Sequence, residues 1–242
     1  MGDVDPHGWA TRRRQGVRRA ALGRGADWRA PRITAVLLDI GGVIIPQLFE
    51  SVRRPGFPLG PFGGDERYQA VQRGELSERE YWAEVGTALG VDVAALWREH
   101  TYVREDMQHA LRALAARVRL VAFTNDMRHW FGERWPARYP VFAVFDQLVE
   151  AARIGPPKPD PEAFVRVAAA IGEPVERCLL VDDLRANVEG ARAVGMPTRY
   201  FDVRDPAGSL LAVLDDLRLA ELPPELGPRD RAARVHRVPR AR

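Results

Sequence analysis

The chain has 242 residues, 46% of them apolar, enough to bury the core of one large domain or of one domain with a small accessory. Its net charge of +3 is uneven: residues 1–32 hold eight Arg against three Asp, residues 221–242 six Arg against three acids, which leaves residues 33–220 at −5. The single cysteine, Cys178, excludes an internal disulfide, and no run approaches the roughly 18 apolar residues of a membrane span.

The two basic ends read as solvated, disordered extensions. The Arg-rich start lacks a signal-peptide apolar core, so a soluble, reducing, cytoplasmic setting is expected. No base-reading motif or aromatic interleaving points to nucleic acid. The first element is Ile33 to Ile40 (ITAVLLDI), a near-continuous aliphatic and β-branched run that holds Asp39 and leads into Gly41-Gly42. Such a run predicts a strand buried on both faces, as in a parallel sheet. From about Gln47 to Met107 the pattern changes. A Pro/Gly-rich loop, residues 55–64, precedes helical patterns over Glu66 to Arg73, Ser77 to Leu89 and Val93 to Tyr102, and Ser77 with Glu80 has capping-box spacing. Tyr81, Val85 and Leu89 share one helical face, so the aromatics here (Tyr81, Trp82, Trp97, Tyr102) are read mainly as core.

Strand-like runs resume at Leu120–Phe123, followed by Thr124-Asn125-Asp126, and more weakly at Val144–Val149. Asp160 and Pro161 open a helix that Gly172 closes, with Phe164, Val165, Ala168 and Ile171 at helical spacing. Cys178–Val181 is a strand-like run ending in Asp182-Asp183, and Cys178 reads as a small core residue. Helical patterns over Leu184–Val194 and Pro206–Leu219 flank a last run, Thr198–Phe201. Strands alternating with helices predict an α/β fold, a doubly wound (Rossmann-like) parallel sheet with a small α-helical insert after the first strand.

Three strand ends thus carry Asp39, Thr124 and Asp182-Asp183, and ligands of open α/β sheets bind outside the carboxyl ends of the strands. Crowded carboxylates repel and need a cation. All-oxygen donors favour Mg²⁺, which binds through a few carboxylates and substrate phosphate. Of the 36 lysines and arginines, Lys158 is the one lysine, set between prolines. A compact ammonium suits a gap between oxyanions, where a guanidinium does not. The set fits phosphoryl transfer, in which positioning and charge neutralisation supply most of the catalysis.

Four stretches in order resemble the motifs of the haloacid dehalogenase-like (HAD) hydrolase superfamily, in the subgroup with a small helical cap after the first strand (subclass IA): residues 35–43, 120–125, 155–164 and 180–195. The Asp-Asp-x3-Asn form of the last, Asp182 to Asn187, is similar to the phosphatase domain of soluble epoxide hydrolases. The resemblance implies a core of residues 33–46 and 108–220, a cap of 47–107, and tails of 1–32 and 221–242. It implies a Mg²⁺-dependent phosphatase acting on a small phosphorylated metabolite through an aspartyl-phosphate on Asp39. Thr124 and the Asn125 amide would bind the phosphoryl group. Lys158 would bridge Asp39 and phosphate. Asp39, Asp183 and the Gly41 backbone carbonyl would hold the metal, with Asp182 as a second or outer-shell ligand and Asn187 ordering that shell. A monomer or homodimer is expected.

One position departs from the superfamily. Two residues after the nucleophile stands Gly41, where relatives commonly carry an aspartate that is the general acid–base. Such help is worth roughly 10²–10⁴-fold. A good leaving group, such as an anomeric sugar phosphate, suffers less, and some sugar-phosphate phosphatases of the superfamily also carry Gly here. Glu50 and Asp65 are candidate replacement acids, and Arg53 and Arg54 read as solvated surface. The alternative is a catalytically weak phosphate-binding module.

Overall fold

The computed structural model describes residues 33–217. The expected basic tails, and residues 218–220 of the expected core, lie outside the described residues. The chain runs β1 (Ala35–Leu38), α1 (Leu48–Ser51), α2 (Glu66–Gln72), α3 (Glu78–Leu89), α4 (Val93–His100), α5 (Glu105–Ala115), β2 (Arg119–Thr124), α6 (Met127–Phe131), β3 (Gln147–Glu150), α7 (Ala151–Ile154), α8 (Pro161–Ile171), β4 (Cys178–Asp182), α9 (Arg185–Ala193), β5 (Thr198–Tyr200) and α10 (Pro206–Asp216), with short 3₁₀ turns between some of them.

Among the described residues the sheet has five strands in the order β3-β2-β1-β4-β5, all parallel. Side chains alternate between its two faces. Ala35, Leu37, Val121, Phe123, Cys178 and Leu180 join one apolar cluster, with Phe164, Val167 and Ile171 of α8. Val36, Leu38, Leu120, Ala122, Leu179 and Val181 join the other, with α5, α10 and the helices that follow β1. Each fully buried Leu, Phe or Val contributes roughly 1.5–3 kcal/mol. A strand covered on both faces has no reason to alternate polar with apolar residues, which is why β1 is continuously aliphatic.

The segment between β1 and β2 is helical, as its periodicity predicts. Ser77 caps α3: its hydroxyl accepts from the Glu80 amide and the Glu80 carboxylate accepts from the Ser77 amide. Gly90, at φ 62°, ends that helix in the left-handed conformation. Tyr81, Trp82 and Trp97 are buried in the core cluster, whereas Tyr102 is 55% exposed. The expected edge of the insert, between residues 107 and 108, falls inside α5, whose Met107, Ala110, Leu111 and Leu114 pack on the sheet as one helical face. None of the described helices is long and apolar enough to cross a membrane.

Candidate active site

Parallel register brings the strand ends together. Leu38 pairs with both Ala122 and Val181, so the residue after it, Asp39, comes level with Asp182, and its amide donates to the Val181 carbonyl at 3.0 Å. Asp39 is itself fixed by the Ile40 amide, which donates to Oδ1 at 2.8 Å. Lys158, on the loop before α8, enters between these strands. Its Nζ lies 3.1 Å from Asp39 Oδ1 and 2.7 Å from Asp182 Oδ2, and it donates to the Phe123 carbonyl at 3.0 Å. The residue is 4% exposed. Asn125 holds the Lys158 backbone from both sides: Oδ1 accepts from the Lys158 amide at 2.8 Å and Nδ2 donates to the Lys158 carbonyl at 3.1 Å.

The adjacent carboxylates of Asp182 and Asp183 have different surroundings. Both Asp182 oxygens are committed: Oδ1 accepts from the Leu184 amide (3.0 Å) and Asn187 Nδ2 (2.9 Å), and Oδ2 from Lys158. Asp183 is 1% exposed, its Oδ1 has no hydrogen-bond partner among the described residues, and its Oδ2 receives a 3.4 Å contact from Gln47 Nε2. A buried carboxylate oxygen without a donor is costly unless a cation meets it. Burial first, then Asp182 and Asp39, hold the Asp183 carboxyl well above its ordinary value. Burial, only partly offset by Lys158, raises Asp39 to about 7. Burial pulls the Lys158 ammonium down, but Asp182 and Asp39 outweigh it and leave it raised. The cluster is therefore short of positive charge. Oxygens of Asp39, Asp182 and Asp183 lie within 4.8 Å of one another, a donor set suited to a hard divalent cation.

Glycine is required at one position of the first loop and merely present at the next. Gly42 has φ +73°, and a Cβ there would lie 2.1 Å from Asp183 Oδ2. At Gly41 the backbone is ordinary, and the nearest atom a Cβ would meet is Gln47 Nε2, at 3.6 Å. The missing side chain at Gly41 is not imposed by space.

A cavity opens beside the cluster, lined by Asp39, Gly41, Ile45, Thr124, Asn125, Trp130, Lys158 and Asn187 from the strand ends and the segments that follow them, and by Glu78 and Trp97 from the helical insert. Asp39, Gly41, Thr124, Asn125, Lys158 and Asn187 thus gather here, with the Asp182 and Asp183 carboxylates beside that of Asp39. Asn187 reaches the cavity wall while its Nδ2 donates to Asp182 Oδ1 at 2.9 Å.

Glu50 and Asp65 do not reach the cavity, which corrects the expectation that either replaces the missing acid. Glu50 accepts from Arg104 Nη2 with both oxygens, at 2.7 and 2.8 Å, and from the Gln47 amide. Asp65 caps α2 through the Tyr68 amide and accepts from the Tyr81 hydroxyl at 2.6 Å. Arg53 and Arg54 are exposed, and Cys178 is buried at the start of β4. Sequence reasoning missed Gln47, Gln72 and Glu78. Gln72 Nε2 donates to the Asp183 carbonyl at 2.9 Å while its Oε1 accepts from the Arg185 amide. No local pattern marks these residues, because their role depends on how the insert docks.

The model of the haloacid dehalogenase-like hydrolase family matches residues 33–195. The chain belongs to that family. It is similar to Phosphatase MT3486 of Mycobacterium tuberculosis (strain CDC 1551 / Oshkosh), 39% identical over 30% of this chain and 37% of that protein, so it spans little more than a third of that relative. It is also similar to the sesquiterpene phosphatase astK of Aspergillus oryzae, 28% identical over 67% of this chain and 86% of the relative. Among solved structures, the HAD-hydrolase YfnB of Bacillus subtilis, bound to magnesium, superposes with a TM-score of 0.55 at 17% identity, over 71% of this chain and 88% of the other, a likeness of fold. The family accounts for the parallel sheet and for the order of the four motifs along it.

Proposed function

We propose that this HAD hydrolase is a Mg²⁺-dependent phosphatase that releases inorganic phosphate from a small phosphorylated metabolite. The observation that carries the reading is the pairing of one lysine with two carboxylates beside a third, Asp183, that is buried and has an oxygen without a partner. The phosphatase names of two relatives support it. Asp39, Asp183 and the Gly41 carbonyl would hold the cation, and the all-oxygen character of the set fits magnesium. When bound, it would neutralise charge on the phosphoryl oxygens.

The remaining roles belong to the chain itself. Asp39 attacks phosphorus and carries the phosphoryl group as an aspartyl-phosphate. Lys158, locked between Asp39 and Asp182, offsets charge where carboxylate and phosphate approach. The Thr124 hydroxyl and the Asn125 backbone amide donate to the phosphoryl oxygens, a role supported by the presence of both residues on the cavity wall. Asp182 works through Lys158 and Asn187 rather than on the substrate. The helices of residues 47–107 act as the cap, covering the leaving group. The cavity volume is about 30 Å³, so on this reading the cap shifts to admit a bulky leaving group.

The test is release of inorganic phosphate from a panel of sugar, acyl and alkyl phosphates, with and without Mg²⁺. Activity is expected only with the metal and is expected to fall to background in Asp39→Asn. Turnover that survives Asp39→Asn overturns the mechanism.

A further inference from the structure

An alkoxide is a poor leaving group and needs a proton as the P–O bond breaks. Gly41 has no side chain to supply one. The titratable groups lining the cavity are Asp39, Glu78, Asp126 and Lys158. Asp39 is the attacking group of the proposed reaction. Lys158 is held between Asp39 and Asp182. Asp126 is paired with Arg79 Nη2 at 3.2 Å. Glu78 is left. It is the first residue of α3, whose entry is fixed by the Ser77–Glu80 capping box. Its Oε1 accepts from Gln47 Nε2 at 2.7 Å, and its Oε2 has no hydrogen-bond partner among the described residues. That same Gln47 nitrogen is the nearest atom a side chain at Gly41 would meet, at 3.6 Å. The Gln47–Glu78 pair therefore stands next to the space that a residue at position 41 would enter.

Resting on the phosphatase reading above, we propose that Glu78 is the general acid–base of this enzyme, delivered from the helical insert and held in place by Gln47. In the first step an Asp39 oxygen forms a bond to phosphorus while the bond to the leaving oxygen breaks. The electron pair stays on that oxygen, which takes the Glu78 proton and departs as the alcohol. In the second step water attacks phosphorus and gives its proton to the Glu78 carboxylate. The P–O bond to Asp39 breaks, its electron pair returns to the aspartate, and inorganic phosphate leaves. Glu78 ends protonated, as it began. Its surroundings suit both tasks: burial raises its carboxyl above the ordinary glutamate value, the Gln47 hydrogen bond lowers it, Asp126 and Asp182 raise it, Lys158 lowers it, and the net shift is upward. A carboxyl that keeps its proton longer than an exposed glutamate is the better acid near neutral pH.

The experiment compares two substrates that differ in their need for protonation, 4-nitrophenyl phosphate and ethyl phosphate, in wild type and Glu78→Gln. The amide preserves size and can still meet Gln47. Expected is a fall in kcat on ethyl phosphate of roughly 10²-fold or more, with a fall at least about tenfold smaller on 4-nitrophenyl phosphate. An unchanged Mg²⁺-induced rise in melting temperature shows that the variant is folded and its metal site intact. A second variant adds Gly41→Asp to Glu78→Gln; recovery of ethyl phosphate turnover supports the assignment, since the space at position 41 admits a side chain. Equal losses on both substrates, or no loss on either, overturn it while leaving the phosphatase reading standing. A wild-type protein that releases phosphate from neither these two nor the panel above overturns the phosphatase reading, and the role of Glu78 with it.

Discussion

The two walls of the cavity are built differently. On the strand side three polar groups are fixed by several bonds each: Lys158 Nζ meets two carboxylates and a carbonyl, Asp182 uses both oxygens, and Asn125 clasps the Lys158 backbone at both ends. On the insert side the contacts are few. Glu78 has one hydrogen bond, Gln47 Oε1 has none, and Arg79 reaches Asp126 from a half-exposed position. In the proposed reaction, the groups that would react with phosphorus need sub-ångström placement, which the ends of a packed sheet supply. Those that would meet a variable leaving group belong to the helical insert, as in enzymes whose caps close over substrate.

The largest effect is expected from removing the ammonium on the rigid wall. Lys158→Met deletes the charge that offsets two buried carboxylates, and breaking a buried pair costs about 3–5 kcal/mol. Chemical denaturation in chelator should show that loss, Mg²⁺ should restore part of it, and phosphate release should be lost in both conditions. A variant as stable as wild type in chelator would mean that the carboxylates are neutral in the folded protein without metal. Gly42→Ala comes next. The added Cβ meets Asp183 Oδ2 at 2.1 Å on a backbone at φ +73°. Strain of roughly 1–3 kcal/mol is expected, and the displaced carboxylate should weaken Mg²⁺ binding measured by calorimetric titration. Asp183→Asn should do the reverse to stability. Burial raises the carboxyl of Asp183, so its charge is unwelcome without a cation, and the amide should stabilise the metal-free protein by on the order of 1 kcal/mol. The same change should abolish the rise in melting temperature on adding Mg²⁺.

The contrast between the walls also explains what could be read from the chain. Asp39, Thr124 and Asp182-Asp183 follow directly from apolar runs, and parallel strands in register must bring such ends to one edge. Lys158 stands out by composition and by its prolines. The fold followed from the same runs, because β1, β2 and β4 are buried on both faces and cannot be mistaken for amphipathic strands. Gln47, Gln72 and Glu78 left no such mark. Each is a polar residue among others, and only the docking of α1, α2 and α3 brings Gln47 and Glu78 beside the cavity and Gln72 against the Asp183 backbone. The same reason misdirected the search for an acid to Glu50 and Asp65: nearness in sequence to Gly41 said nothing of Arg104, which neutralises Glu50, or of the Tyr68 amide that Asp65 caps. Helix α5 shows a milder form of the problem. Its apolar face is regular, but it lies where the insert returns to the sheet, and sequence alone does not show to which body a helix belongs.

The smallest effect tests the looser wall. Arg79 and Asp126 join α3 to the loop after β2, beside the cavity that Asp126 lines, with Arg79 55% and Asp126 26% exposed. An exposed ion pair contributes about 0–1 kcal/mol. Arg79→Ala should therefore leave stability nearly unchanged in urea denaturation, a loss below about 1 kcal/mol. If the pair instead helps to hold the insert against the sheet when substrate is bound, the variant should raise KM more than it lowers kcat, and should do so more for substrates with large leaving groups. A loss of several kcal/mol would contradict that contrast, since it would make an exposed contact of the insert as important to the folded state as the buried lysine at the strand ends.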